Sequence, residues 1–147
     1  MIEQLRSPSN LDWLRLRQAL WPHCSGAEHE TEMARFVAEP ERYAQFIFYT
    51  DNRQAVGFVE ASIRSDYVNG TESSPVAFLE GLYVVPKHRS QGVARRLVGT
   101  VAEWAKSRGC SELASDVLFD NEVSHAVHKA LGFEETERVV FYRKHLS

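Results

Sequence analysis

The chain has 147 residues, of which 44% are hydrophobic and 25% are charged, and its formal net charge is −3. These values are ordinary for a globular protein with one core, and they argue against a general nucleic-acid-binding role. Its two cysteines are too few for a disulfide framework and favour a reducing compartment. Without a signal peptide or an apolar run long enough to span a membrane, the sequence predicts one cytoplasmic domain over residues 1–147.

The spacing of apolar residues predicts ten elements in chain order. They are a strand at 2–5, a helix capped by Ser9 and ended by Pro22, a helix at 28–38, strands at 46–50, 55–64 and 76–85, a helix at 92–108, a strand at 112–117, a helix at 121–131 and a final strand at 138–143. The strands at 76–85 and 112–117 would run parallel through a right-handed crossover. This order predicts an α+β fold with a mixed sheet.

A basic turn at residues 86–94 separates the apolar run 76–85 from the helix that follows. It reads Pro-Lys-His-Arg-Ser-Gln-Gly-Val-Ala and contains no acid. Backbone N–H groups at such a helix start have no intrahelical partner and attract phosphate. The turn is neither a Walker loop nor a dinucleotide fingerprint. We interpret it as a cradle for the phosphates of a small anionic cofactor; the alternative is a plain turn in which the glycine serves geometry alone.

Two motifs in the chain resemble those of a known superfamily. A strand ending in Val-Pro, then Arg-x-x-Gly-x-Ala and a helix, resembles motif A of the GNAT superfamily of acyl-CoA-dependent N-acetyltransferases. Residues 121–133 resemble that superfamily's second signature, which ends in Leu-Gly-Phe. The resemblance covers nearly the whole chain. It implies the GNAT acyl-CoA N-acyltransferase fold: a mixed, twisted sheet with flanking helices and a splayed parallel strand pair.

The resemblance also implies a site for acetyl-CoA. Together with the basic turn, it predicts that the following residues bind this cosubstrate: Leu82, Tyr83, Val84, Arg89, Ser90, Gln91, Gly92, Val93, Ala94, Arg95 and Asn121. The amides of 91–94 would bind the pyrophosphate, and the backbone of 82–84 would pair with the pantetheine arm. Asn121 would bond that arm from the other side. The backbone N–H of Val84 would polarise the thioester carbonyl.

Longer runs at 61–70, 74–81 and 131–139 resemble the aminoglycoside 6′-N-acetyltransferases within that superfamily. By this resemblance the acceptor site is lined by Trp21, Tyr67, Glu80, Asp116 and Glu137. His23 would lie nearby, although its loop departs from the family pattern. Aminoglycosides are polycations, so several carboxylates and an aromatic face suit them. For a single acid the usual alternative is a solvated surface charge, and for Trp21 it is a core position.

The catalytic groups are predicted less directly. The acceptor amine must lose a proton, and Asp116 and Glu80 are the candidate acceptors of that proton. Many GNAT enzymes have a tyrosine general acid four residues before the glycine of Leu-Gly-Phe, where this chain has His128. A histidine can protonate a departing thiolate near neutral pH, but His128 is equally consistent with a packing role.

The sequence therefore predicts transfer of an acetyl group from acetyl-CoA to the 6′-amine of aminoglycosides by direct attack in a ternary complex. It predicts no metal, because no complete set of ligands has the right spacing. The alternatives are acetylation of another amine, such as a polyamine or a peptide N-terminus, and a non-catalytic acyl-CoA sensor. The resemblance implies a homodimer, and no nucleic-acid or membrane partner is expected.

Overall fold

The computed structural model describes the whole chain, residues 1–147, as one five-stranded sheet with helices on both faces. The strands are β1 (Ile2–Gln4), β2 (Tyr43–Tyr49), β3 (Ala55–Arg64), β4 (Val76–Val84) and β5 (Leu113–Ala114), in that spatial order. The helices are α1 (Leu11–Leu20), α2 (Gly26–Ala38), α3 (Val93–Ser107) and α4 (Glu122–Ala130). The first four strands are antiparallel and β5 is parallel to β4, so the predicted mixed α+β sheet is confirmed.

The two N-terminal helices begin at different residues from those that the sequence predicts. The side chain of Asn10, not Ser9, accepts the N–H of Trp13 at 2.9 Å and starts α1 one residue later than predicted. Ser25 and Glu28 form a reciprocal capping box that starts α2. Because of this start, α1 turns Trp13 fully into the core and leaves Leu11 77% exposed.

The sheet separates two apolar layers. On one face α1 and α2 pack against alternate residues of β2 and β3, with Trp13, Met33 and Phe58 completely buried. On the other face α3 packs its Leu97 and Val101 against the sheet. Such alternation is the ordinary behaviour of strands covered on both faces. A side chain on β3 therefore belongs to one layer or the other by its parity.

A β-bulge in β4 changes its register halfway along. Glu60 in β3 pairs with Gly81, but the next residue, Ala61, pairs with Leu79. Glu80 is thus the extra residue of the bulge, and it has no partner across the ladder. A bulge bends its strand and re-aims the side chain it carries. This one separates the buried first half of β4 from the half that carries the site.

The parallel pairing of β4 with β5 is short. Only two pairs form, Ala77 with Leu113 and Phe78 with Ala114, and the strands are no longer paired beyond them. The strand predicted at 112–117 is therefore correct in position and too long. Residues 115–117 no longer pair with β4, and we call the unpaired space between them and residues 79–84 the wedge.

The final strand predicted at 138–143 is wrong for this chain. Residues after Phe133 form no regular structure, and the side chains of Phe141 and Tyr142 are 87% and 92% exposed. A strand needs a neighbour that offers its edge, and β5 ends at Ala114 without providing one. No helix of the chain is long and apolar enough to cross a membrane.

Candidate functional site

The backbone at the end of β4 presents hydrogen-bonding groups toward the wedge. The N–H of Val85 donates to the carbonyl of Val56 at 2.8 Å, so the pair Gly57–Val84 is a non-hydrogen-bonded pair of the ladder. The N–H and C=O groups of Val84, and by alternation those of Leu82, therefore point away from β3 and toward β5. Those of Tyr83 point back to β3, so only two of the three residues predicted at 82–84 offer their backbone to a ligand.

The basic turn that follows is held by unusual backbone angles. Ser90 has φ +62° and Gly92 has φ +85°, and Arg89 donates from Nε to the Val84 carbonyl at 2.8 Å. Gly92 is the N-cap of α3 and provides no side-chain cap. The N–H groups of residues 91–95 donate to no acceptor in the protein. Five free donors at a positive helix terminus make a strong anion site.

The arginines around this turn are not equivalent. Arg95 donates from Nη2 to the carbonyl of Ala130 at 2.9 Å, which joins the start of α3 to the last turn of α4. Arg96 lies over the ring of Phe48, with its Cζ 4.9 Å from the ring centroid. The side chain of Lys87 is exposed at the turn itself. Arg95 thus has a structural contact in addition to its predicted place beside the phosphates.

The start of α4 faces the wedge from the β5 side. Asn121 caps this helix, because its Oδ1 accepts the N–H of Ser124 at 3.1 Å. The amide Nδ2 of Asn121 has no partner within the protein, so it can still donate. The role of Asn121 opposite β4 stays a prediction.

His128 has both ring nitrogens bound to the protein. Its Nδ1 lies 2.8 Å from the carbonyl of Ser124, which can only accept, so Nδ1 carries the hydrogen. Its Nε2 then accepts the hydroxyl of Ser115 at 2.8 Å. The ring also packs on Phe133, with centroids 5.1 Å apart. His128 therefore holds the residue next to Asp116, and neither nitrogen has a free proton directed at the wedge.

The bulge residue Glu80 lies at the edge of a cavity of about 740 Å³. Its Oε1 accepts from the hydroxyl of Ser62 at 2.6 Å and from Nη2 of Arg64 at 2.9 Å. Arg64 in turn lies on the ring of Phe78, with 3.6 Å between its Cζ and the centroid. Tyr67 lines the same cavity. One oxygen of Glu80 is thus fixed by the protein, and the other, Oε2, has no protein partner.

The remaining predicted acceptor residues do not line this cavity. The ring of Trp21 packs on Gly81, where an added Cβ would come within 2.5 Å of it. Asp116 is exposed, two residues past the last parallel pair, as Glu80 is on β4. Glu137 lies beside Gly70 of the loop that carries Tyr67. His23 is exposed beyond the end of α1, and no contact joins it to this group.

Two groups of polar residues near the site were not predicted. Ser62 and Arg64 fix Glu80, and a buried polar cluster made of Trp13, Arg17, His29 and Glu60 lies beneath Trp21. The sequence did contain a signal for the second group. Glu60 stands inside the apolar strand 55–63, and Arg17 lies on the apolar face of α1, where an unpaired charge is costly. Because of this cost, the sequence could have predicted an ion pair between Glu60 and Arg17.

The comparisons with known proteins agree with this geometry. Residues 11–133 match the model of the acetyltransferase (GNAT) family. The aminoglycoside N(6′)-acetyltransferase type 1 of Serratia marcescens is 55% identical over 138 residues, which cover 93% of this chain and 94% of the relative. The corresponding protein of Acinetobacter genomosp. 13 is 53% identical over 92% of this chain and 91% of its own length.

Two solved structures are similar over almost the whole chain. The apo aminoglycoside 6′-N-acetyltransferase AAC(6′)-Ig of Acinetobacter haemolyticus superposes with a TM-score of 0.93 at 48% identity, covering 100% of this chain and 99% of that one. The enzyme AAC(6′)-Iy, in complex with the bisubstrate analogue CoA-S-monomethyl-acetylneamine, gives a TM-score of 0.93 at 45% identity. That match covers 99% of this chain and 98% of the other.

The loop that carries Tyr67 is tied to the sheet by one carboxylate. Glu112, just before β5, accepts the N–H groups of Glu72 and Ser73 at 2.9 and 2.8 Å, and it also accepts the Ser73 hydroxyl. These hydrogen bonds, the Ser73 hydroxyl first, lower the pKa of Glu112 below its ordinary value. The loop at 65–75 is thus tied to the start of β5 by an ionisable group.

We predict that Glu112→Gln removes a pH-dependent part of the stability. Because the pKa of Glu112 is lowered by folding, its contribution is complete above the unfolded value near 4.5 and disappears as the pH falls through the folded value. The free energy of unfolding, measured by urea titration from pH 7 downward, should therefore differ most between wild type and variant at neutral pH. Glu103→Gln, an exposed change on α3, is the control. A difference that stays constant with pH would contradict the tether.

Proposed function

Because this chain belongs to the acetyltransferase (GNAT) family, we propose that it transfers an acetyl group from acetyl-CoA to the 6′-amino group of aminoglycoside antibiotics and so confers resistance to them. One observation carries the proposal. The wedge between β4 and β5 has free backbone donors on one wall and, at its entrance, a carboxylate placed by a bulge. We also propose that the whole chain acts as a single domain.

The residues of the basic turn fit the cosubstrate. The five free N–H groups at 91–95 suit a pyrophosphate, and the exposed Lys87 adds a positive charge beside them. The N–H and C=O groups of Leu82, which face the wedge, suit an amide of the pantetheine arm, and we propose that the Asn121 amide bonds the arm from the opposite side. Acetyl-CoA supplies the activated acetyl group as a thioester.

Val84 has the position required of an oxyanion donor. Its N–H points into the wedge and has no ladder partner, while its carbonyl is occupied by Arg89. A fixed backbone N–H of this kind stabilises negative charge developing on a carbonyl oxygen without any reorganisation. We propose that Val84 polarises the thioester carbonyl toward the attacking amine.

The acceptor is held by carboxylates around an aromatic face. Glu80 offers its free oxygen to an ammonium group, Asp116 lies across the wedge, and Glu137 borders the loop of Tyr67. Trp21 and Tyr67 supply surfaces for sugar rings. The attacking amine must be neutral, and we propose that Glu80 or Asp116 accepts its proton. Because Arg64 already neutralises part of Glu80, that carboxylate does not act as an isolated negative charge.

His128 as the general acid stays a prediction from the sequence. Its contacts support a different role in the proposal, because both nitrogens are engaged by Ser115 and Ser124. Through Ser115 it fixes the backbone next to Asp116. Release of the thiolate without a protein acid is compatible with this arrangement.

We further propose that the active form is a homodimer. The exposed tail contains Val139, Val140, Phe141 and Tyr142, which alone would leave a large apolar surface in water. These residues have strand propensity and no partner in their own chain, so a second copy of the chain is the natural one. The two free cysteines fit a reducing compartment, and we place the enzyme in the cytoplasm.

The activity is tested by thiol release from acetyl-CoA with a panel of amines. We expect turnover with aminoglycosides that bear a 6′-amine and none with the analogue bearing a 6′-hydroxyl, because the hydroxyl is a weaker nucleophile. Polyamines and peptide N-termini serve as competing acceptors. Equal rates on the hydroxyl analogue would refute the 6′-amine as the site. Binding of CoA without any thiol release would leave the sensor function.

Glu80→Gln should weaken drug binding. The change removes the negative charge while keeping the side-chain shape, so we expect the KM for the aminoglycoside to rise about tenfold. The KM for acetyl-CoA should stay within about twofold, because Glu80 faces the acceptor side of the wedge. Glu103→Gln, far from the wedge on α3, is the matched control. An unchanged drug KM would remove Glu80 from the site.

Phe141→Asp should separate the two chains. A charge introduced into a buried strand pair is costly, whereas the same charge on a free tail costs nothing. We expect wild type to sediment as a dimer and the variant as a monomer in analytical ultracentrifugation. Leu146→Asp, equally exposed in one chain but outside the predicted strand, should remain dimeric. A monomeric wild type would contradict the proposal.

A further inference from the structure

Three ionisable side chains lie buried beneath the acceptor site and have no part in the chemistry above. Arg17 and His29 are each 1% exposed and Glu60 is 2% exposed. Burial raises the pKa of Glu60, and the Arg17 guanidinium opposes that shift. Placing charges in a core is expensive unless each is paired and hydrogen-bonded. Two of them, Arg17 and His29, contact Trp21.

Arg17 is fully engaged at the centre of the buried polar cluster. Its Nη1 donates to Glu60, its Nη2 donates to Glu32 at the surface, and its Nε donates to Nδ1 of His29 at 3.1 Å. The indole Nε1 of Trp13 donates to the same oxygen of Glu60 at 2.7 Å. These bonds fix the plane of the guanidinium, which lies 4.8 Å from the ring centroid of Trp21.

The contact with Arg17 determines the tautomer of His29. A guanidinium only donates, so Nδ1 must accept and the ring hydrogen must be on Nε2. That nitrogen lies 3.3 Å from the carbonyl oxygen of Trp21 and donates to it. The His29 ring also stacks on the Trp21 indole, with centroids 6.5 Å apart and planes inclined by 28°.

Trp21 is therefore held from below and above. It ends α1 with non-helical angles, φ −124° and ψ 70°, so the helix alone does not fix its direction. The cluster holds its backbone and one ring face, while Phe58 meets it edge-on at 6.2 Å. Gly81 opposite has no side chain, and a Cβ there would come within 2.5 Å of the indole. The indole is thus confined between the buried polar cluster and Gly81, the residue that follows Glu80.

We propose that Arg17 and His29 are positioning residues, which fix the Trp21 indole as the surface on which the acceptor sugar packs, and that this sets the affinity for the aminoglycoside. The inference depends on the proposed function. Within that function it assigns to a buried charged cluster the orientation of one binding residue. Neither residue touches the substrate.

The test is kinetic. His29→Leu removes both polar contacts at similar volume, and we expect the drug KM to rise about five- to tenfold, which is within the range for two lost buried hydrogen bonds. The KM for acetyl-CoA should be unchanged. His29→Gln, which can keep a donor near Nε2, should restore most of the drug affinity. Met33→Ala, on the same buried face of α2, removes no hydrogen bond to Trp21; it should lower the melting temperature and leave the drug KM unchanged.

A double-mutant cycle separates positioning from general loosening. In a Trp21→Ala background, adding His29→Leu should not raise the drug KM further, because the residue through which it acts is gone. Gly81→Ala displaces the indole from the opposite side and removes none of the side chains that form the cluster's hydrogen bonds. It should reproduce the rise in drug KM even if His29→Leu fails to fold.

Two results would overturn the inference. One is a full His29→Leu effect on drug KM in the Trp21→Ala background, and the other is an unchanged drug KM in Gly81→Ala. Both differ from failure of the proposed function, which would appear as wild-type protein that acetylates no aminoglycoside.

Discussion

The site depends on one extra residue in β4. If the register of Glu60 with Gly81 continued without the bulge, Ala61 would pair with residue 80, and the Glu80 carboxylate would lie at a regular ladder position. With the bulge, Glu80 instead reaches Ser62 and Arg64 and lies at the edge of the cavity. Gly81, which pairs with Glu60 in either register, packs against the Trp21 indole beside it. The position of Glu80 in the proposed acceptor site therefore depends directly on the register of β4 with β3.

Arginine side chains offset much of the negative charge of the acids around Glu80. Glu80 is paired with Arg64, and the cavity beside it is also lined by Arg35, Arg42, Glu41 and Asp66. A polycation that binds at this surface takes the place of Arg64 beside Glu80, and it does not meet an unpaired carboxylate. Such an arrangement limits the cost of keeping a half-buried carboxylate charged before the substrate arrives.

Local signals in the sequence predicted most of the fold. The strand at 55–64 was correct at both ends, and α3 was correct within one residue, because each has strong periodicity and clear breakers. The tail at 138–143 was wrong because strand propensity does not provide a neighbour. At the site, sequence motifs indicated Glu80 and the basic turn. They could not reveal that the backbone groups of Tyr83 point to β3 or that Glu80 is the extra residue of a bulge, since both follow from the pairing of β3 with β4.

The N-terminus of α3 has a thermodynamic consequence for the whole enzyme. Gly92 supplies no cap, so the folded chain keeps several backbone donors that no protein group satisfies and that a bound anion can accept from. An anion that binds the native state and not the unfolded chain stabilises it by RT ln(1 + [L]/Kd). The cosubstrate is then also the missing cap of this helix. Its cellular concentration would govern how much of the protein resists unfolding and proteolysis, as well as how fast the enzyme works.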